Sequence, residues 1–171
     1  METNKVIEEK QSIRYFNDQK VDQKTIEDIL NYAIAEISLD EDDPPWHFVI
    51  VEDQEIKEKI ADMLFYSSED SVEETCNVIK DCSVLILVFT DYSDEFKLIK
   101  TGASLLDYMV NRSRNLGLTT LYIRDIREIQ EELQREFFLS EKLSGAVALG
   151  YSDHFPSKKL GKSLDKVTEW W

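Results

Sequence analysis

Six consecutive apolar residues, Val84-Leu85-Ile86-Leu87-Val88-Phe89, constrain this chain more than any other feature of it. Successive side chains of a strand point to opposite faces, so an extended segment without a polar position has no face to offer water. The run must then be a strand covered on both sides. It is far too short to cross a bilayer as a helix, which takes about 20 residues. The flanking sequence supplies candidate covers. Asp22 is placed to cap a helix in which Ile26, Ile29, Leu30, Ala33 and Ile34 recur at helical spacing. Ile56, Ile60, Met63 and Leu64 share one face of a second helix. A long helix is predicted from about Phe96 to Leu116, stopped by Gly117, and another over Ile126 to Phe137. Further strands are predicted at His47–Val51, after the acidic loop Asp40 to Asp43 and Pro44-Pro45, and at Leu118–Ile123 and Gly145–Tyr151. Strands and helices that take turns in this way imply a three-layer α/β or α+β sandwich. No repeat or low-complexity linker divides the chain, which reads as one domain over residues 1–154 with a C-terminal extension over 155–171.

Charge narrows the choice of partner. Asp and Glu number 35 against 20 Lys and Arg, a net charge of -15 over 171 residues. Nucleic acid and anionic membranes need a basic face to displace counterions, so neither is an expected partner. The acidity itself reads as solubility. The polar, acidic N-terminus carries no signal-peptide pattern, which points to the cytoplasm. Cys76 and Cys82 have no further Cys or His near them to complete a zinc site, and read as ordinary thiols. Cys76 falls on a helical stretch, where buried filler is the usual role. His47 and His154 have no evident catalytic partner, and Asp107 and Asn111 read either as a solvated face or as a polar junction. No hydrolytic constellation, catalytic side chain or metal set can be named.

Positive charge is concentrated in two places. In an extended segment Lys10, Ser12 and Arg14 would present two cations and a hydroxyl to one side, a set suited to a phosphate monoester. On those residues alone, a solvated helix terminus is the plainer reading. Lys158, Lys159 and Lys162 form a second basic island, which read alone is equally a charged tail. The two gain meaning if both converge on one anion. Only five glycines occur and none lies in a glycine-rich nucleotide loop, so side chains would have to hold any nucleotide phosphate. Basic residues near both ends of an apolar domain without an acid–base set suit a protein whose chemistry resides in a bound cofactor.

Five blocks in order then resemble the FMN-dependent nitroreductase family in its short-chain form: Lys10-x-Ser12-x-Arg14-x-Phe16; Pro45-Trp46-x-Phe48-x-Ile50; Gly102, Asp107 and Leu116-Gly117-Leu118 of the long helix; Leu149-Gly150-Tyr151; and the basic stretch after Pro156. The resemblance implies an α+β, nitroreductase-like α-β-α sandwich with a central mixed sheet. It implies FMN as cofactor and NAD(P)H as co-substrate, with a nitroaromatic, quinone or similar small molecule as electron acceptor. By the same resemblance Lys10, Ser12 and Arg14 would contact the FMN phosphate and ribityl chain, Lys159 or Lys162 would add charge to the phosphate, and the backbone around Tyr122 and Ile123 would lie near the flavin. Family members are domain-exchanged homodimers, and the Trp170-Trp171 terminus suits an arm toward a second copy. Asp42 and Pro44 stand where the family has Asn and Gln, Thr119 where it has a second Gly, and Gly161 where it has a final Arg. An aspartate at position 42 would oppose negative charge on a reduced flavin. These departures make a non-catalytic flavin-binding or scaffold dimer of the same fold the alternative.

Overall fold

A computed structural model describes residues 16–37, 45–91, 95–153 and 168–169, those of 95–99 by their backbone alone. In chain order the elements are α1 (Gln23–Glu36), β1 (Trp46–Val51), α2 (Gln54–Ser67), α3 (Glu73–Asp81), β2 (Val84–Thr90), α4 (Glu95–Asn115), β3 (Thr119–Ile123), a 3-10 turn (Asp125–Ile129), α5 (Gln130–Phe137) and β4 (Lys142–Gly150). The sheet order is β1-β2-β4-β3. Every residue of β2 is buried, as the apolar run requires. Leu85, Leu87 and Phe89 pack toward α2, α3 and α5, and Val84, Ile86 and Val88 pack toward α1 and α4. Each such side chain removed from water contributes on the order of 2 kcal/mol, which concentrates stability in this strand.

The three layers are those expected, but the sheet differs in one respect. Among the described residues every pairing is antiparallel, not mixed: β1 with β2, β2 with β4, and β3 with β4. Two connections explain this. Two helices, α2 and α3, separate β1 from β2, and an outward and a returning helix bring the chain back to the end it left. Val51 at the end of β1 accordingly lies beside Leu85 at the start of β2. A single helix, α4, joins β2 to β3, and these two strands do run in the same direction. β4 then inserts between them, antiparallel to both. Helical spacing in the sequence marks the connecting helices but carries no record of which later strand intervenes.

Local signals set the helix ends. The Asp22 carboxylate accepts from the Thr25 N–H at 3.0 Å and from the Thr25 hydroxyl at 2.8 Å. The Asp53 carboxylate accepts from the Ile56 N–H at 3.1 Å and caps α2. Gly117 follows α4 with φ +82°, the left-handed conformation that glycine adopts without steric cost. Helix α3 has no side-chain cap at its start. Its far end is held by α2: the buried Lys57 ammonium donates to the Cys82 carbonyl at 2.5 Å, and the Gln54 amide donates to the Lys80 carbonyl at 3.1 Å.

On the opposite face, Arg112 of α4 grips Asp28 of α1 with two hydrogen bonds, of 2.7 and 3.0 Å, and lies 5.3 Å from the centre of the Tyr32 ring. The hydrogen bond from Arg112 holds the Asp28 carboxyl below its ordinary value of 3.8. An acid whose folded value is depressed stabilises the fold while ionised, and that contribution is lost as the pH falls through the folded value. The stability difference between the wild type and Arg112→Met, read as urea midpoints, should therefore be largest near neutrality and shrink below about pH 4.

Helix α4 also approaches β4 closely. A Cβ at Gly102 would meet the Ser144 hydroxyl at 2.5 Å, and that hydroxyl is 2.9 Å from the hydroxyl of Thr90 on β2. Alanine is favoured over glycine within helices by about 1 kcal/mol. Here the collision outweighs it: Gly102→Ala should lose about 1–3 kcal/mol in denaturant unfolding, as overpacked sites do.

Candidate functional site

The beginning and end of the described domain are fastened together beside the end of β4. Phe16 is buried against Gly150, where the ring occupies the space that a Cβ would take. Adjacent to it, the Asn17 N–H donates to the Tyr151 carbonyl at 2.7 Å. The Asn17 side chain bonds in two directions: its oxygen accepts from the Gln19 N–H at 3.0 Å, and its nitrogen donates to the Asp153 carboxylate at 3.1 Å. The Val21 N–H then reaches the Ser83 hydroxyl at 2.9 Å, which carries the segment across the start of β2. Phe16 and Leu149-Gly150-Tyr151, two blocks at opposite ends of the sequence, are thus the two sides of one contact.

Lys10, Ser12, Arg14, Asp42, Lys159 and Lys162 lie outside the described residues, as do Pro44, His154 and Gly161. Of the expected cofactor residues only Tyr122 and Ile123 are described, both on β3. Ile123 is buried in the α2–α3 layer, whereas Tyr122 turns to the other face. There its ring covers the Gly145 backbone next to Leu106 and carries the Arg124 guanidinium at 5.6 Å. A Cβ on residue 145 would collide with the phenol, so the ring lies directly on the β4 backbone. Thr120, on the same face, has a buried hydroxyl without a hydrogen-bond partner among the described residues, and so does the half-buried Trp46 indole N–H. Along the other edge of β3 runs an open cleft of about 320 Å³ lined by Glu74, Thr75, Val78 and residues 121–125 of β3 and the following turn.

The remaining candidates resolve simply. The His47 ring lies 3.3 Å from the Glu141 carboxylate on an exposed part of the sheet. Asp107 and Asn111 are both exposed on α4, the solvated-face alternative. Among the described residues no group of three or more His, Cys, Asp or Glu could hold a metal ion, and no helix is long and apolar enough to cross a membrane. Asn17, Asp153 and Arg124 were not singled out from the sequence. Arg124 directly follows the strand that was, but nothing in a single sequence links position 17 to position 153.

A model of the nitroreductase family matches residues 7–151. The chain belongs to that family. It is 33% identical over 167 residues to a Methanothermobacter thermautotrophicus protein provisionally named NADH dehydrogenase/NAD(P)H nitroreductase, covering 93% of this chain and 82% of that one. Among solved structures it resembles an FMN-dependent nitroreductase from Clostridium difficile (TM-score 0.73, 18% identity, 94% of each chain). It likewise resembles a Desulfovibrio desulfuricans protein provisionally named a nitroreductase, in complex with FMN (TM-score 0.71, 18% identity, 98% of this chain and 95% of that one). At such identities the structural likeness speaks for the fold, the α-β-α sandwich described above.

The two thiols of the chain are not nucleophiles. Burial pushes the Cys82 thiol up to about 12 and raises that of Cys76, and each donates to a carbonyl at 3.2 Å, Ile79 and Ala61 respectively. Reactivity requires thiolate and access, and both are denied here. Ellman's reagent at neutral pH should therefore react with neither cysteine in the folded protein and with both once urea unfolds it.

Proposed function

We propose that this protein is an FMN-dependent oxidoreductase that passes electrons from NAD(P)H to a nitroaromatic, quinone or similar small acceptor. Membership of the nitroreductase family supports the activity, and the names of the relatives above agree with it. The observation that carries the cofactor is the junction of Phe16–Asn17 with Gly150–Asp153. The segment Lys10–Arg14 ends two residues before that junction, and Lys158–Lys162 starts five residues beyond it. In a chain of net charge -15, a dianionic phosphate needs such a local gathering of cations. These residues suit FMN, which supplies the hydride and electron transfer when bound.

The protein's own part is positioning. Lys10, Ser12 and Arg14 hold the phosphate and ribityl chain, Lys159 or Lys162 adds charge to the phosphate, and the β3 backbone at Tyr122 and Ile123 borders the ring. An aspartate at position 42, if it borders the pyrimidine edge, would disfavour added negative charge there. No side chain need act as general acid or base. Residues 1–154 form the flavin domain, and residues 155–171 form an arm toward a second copy in a cytoplasmic homodimer. The replacements at Asp42, Pro44 and Gly161 favour, as second reading, a dimer of the same fold without turnover.

Visible spectra of the purified protein under nitrogen separate these readings. Bound flavin that bleaches on addition of NADH or NADPH is the expected result. Flavin that stays oxidised leaves the non-catalytic dimer, and no flavin uptake from excess FMN sinks the cofactor assignment. Arg14→Glu should release FMN while leaving the unfolding temperature of the flavin-free protein nearly unchanged.

A further inference from the structure

The cleft beside β3 owes its charged rim to the way the chain leaves the sheet. Ile123 closes β3 in the core, and Ile126 re-enters the same core from the 3-10 turn. Two buried anchors this close together force Arg124 and Asp125, the pair between them, to face outward, and both are exposed at the cleft. Each is held in place. The Arg124 carbonyl accepts from the Arg127 N–H at 3.2 Å. Its guanidinium lies 5.6 Å from the centre of the Tyr122 ring, which itself rests on the Gly145 backbone. The Asp125 carboxylate accepts from the Thr75 hydroxyl of α3 at 3.3 Å, across 50 positions of sequence. Val78 and Leu121 give the cleft apolar surface, and its volume of about 320 Å³ falls at the lower end of the roughly 300–1,000 Å³ usual for small-molecule sites. Among the described residues that line it, Arg124 is the sole cation, against the carboxylates of Asp125 and Glu74.

We propose that Arg124 and Asp125 are an opposed pair of charges that sets the electron affinity of a flavin ring bordered by β3, the arginine raising it and the aspartate lowering it. The inference rests on the FMN reading and assigns two residues that neither hold the phosphate nor transfer a proton. Hydride transfer from NAD(P)H delivers two electrons and one proton, so one negative charge arrives at the ring until a second proton follows. A fixed cation nearby favours that charge, and a fixed carboxylate opposes it. The oxidised ring is neutral, so the same two charges act on it only weakly. They therefore shift the balance between oxidised and reduced flavin while leaving affinity for the oxidised form nearly unchanged. Glu74 adds to the carboxylate side from α3, which leaves the guanidinium as the one described lining group that works the other way. Charge acts across several ångströms, so an exposed position at the rim is sufficient for this role.

The test is the midpoint potential of the flavin in the FMN-loaded full chain, read by anaerobic reductive titration against reference dyes. At a fixed potential Arg124→Gln should lower the ratio of reduced to oxidised flavin about tenfold, the scale of one unit charge in a partly wet site. For a two-electron couple that is a fall of about 30 mV. Asp125→Asn keeps an acceptor for the Thr75 hydroxyl and should shift the potential in the opposite direction. Arg124→Lys keeps the charge and should stay near the wild type. Dissociation constants for oxidised FMN, and unfolding temperatures, should stay at the wild-type values in all three variants. The opposite signs are decisive, because damage to the cleft would move both substitutions the same way. An unchanged potential in Arg124→Gln, shifts of one sign in Arg124→Gln and Asp125→Asn, or an equal fall in Arg124→Lys would each overturn the opposed pair. So would a loss of oxidised-FMN affinity in Arg124→Gln, which would make Arg124 a holder of the cofactor instead. A wild-type chain that takes up no FMN would overturn the flavin reading on which the pair depends.

Discussion

β2 is paired on both edges and packed on both faces, and that double enclosure organises the molecule. A run such as Val84–Phe89, with no polar position, can be satisfied only by two neighbouring strands and two helical layers, which demands a chain that returns to the sheet from both sides. The α2–α3 pair does so on one face, and α1 with α4 does so on the other. Close packing then decides details that propensity would not. The long helix carries a glycine at position 102 because β4 presents Ser144 there, and β4 ends in a glycine at position 150 because Phe16 needs the space.

Much of this architecture is legible in the sequence, for identifiable reasons. Val84–Phe89 could only be doubly buried, Asp22 and Gly117 carry local capping chemistry, and the spacing of Ile26, Ile29 and Ala33 specifies a face. These are short-range signals, decided within a few residues. What failed is long-range. The insertion of β4 between β2 and β3 depends on pairings more than fifty positions apart with β2 and more than twenty apart with β3, so the sheet expected to be mixed is antiparallel wherever it is described. The stretch expected as one helix from Ile126 to Phe137 begins as a 3-10 turn over Asp125–Ile129 before α5 takes over.

The candidate site follows the same division. Its composition, meaning cations clustered near both ends of an acidic chain, could be read directly. The way the two clusters start from one place could not, because it depends on a glycine that admits a ring and on an amide that faces two ways. A motif such as Leu149-Gly150-Tyr151 looks like a label in sequence; in three dimensions it is half of a contact with Phe16. The chemistry attributed to the site is then less a property of any residue than of how the first and last segments of the domain are tied together.

The Lys57 contact has a consequence for the order in which the protein comes apart. Helix α3 is only nine residues long and lacks a side-chain cap at its start, and isolated helices of that length are not stable in water. Its last carbonyls are satisfied by Lys57 and Gln54 of the neighbouring helix, so α3 cannot persist once α2 has left. The two helices therefore form a single opening unit. In hydrogen exchange their amides should lose protection together, even though a bend at residues 68–72 separates them in the chain and no disulfide joins them.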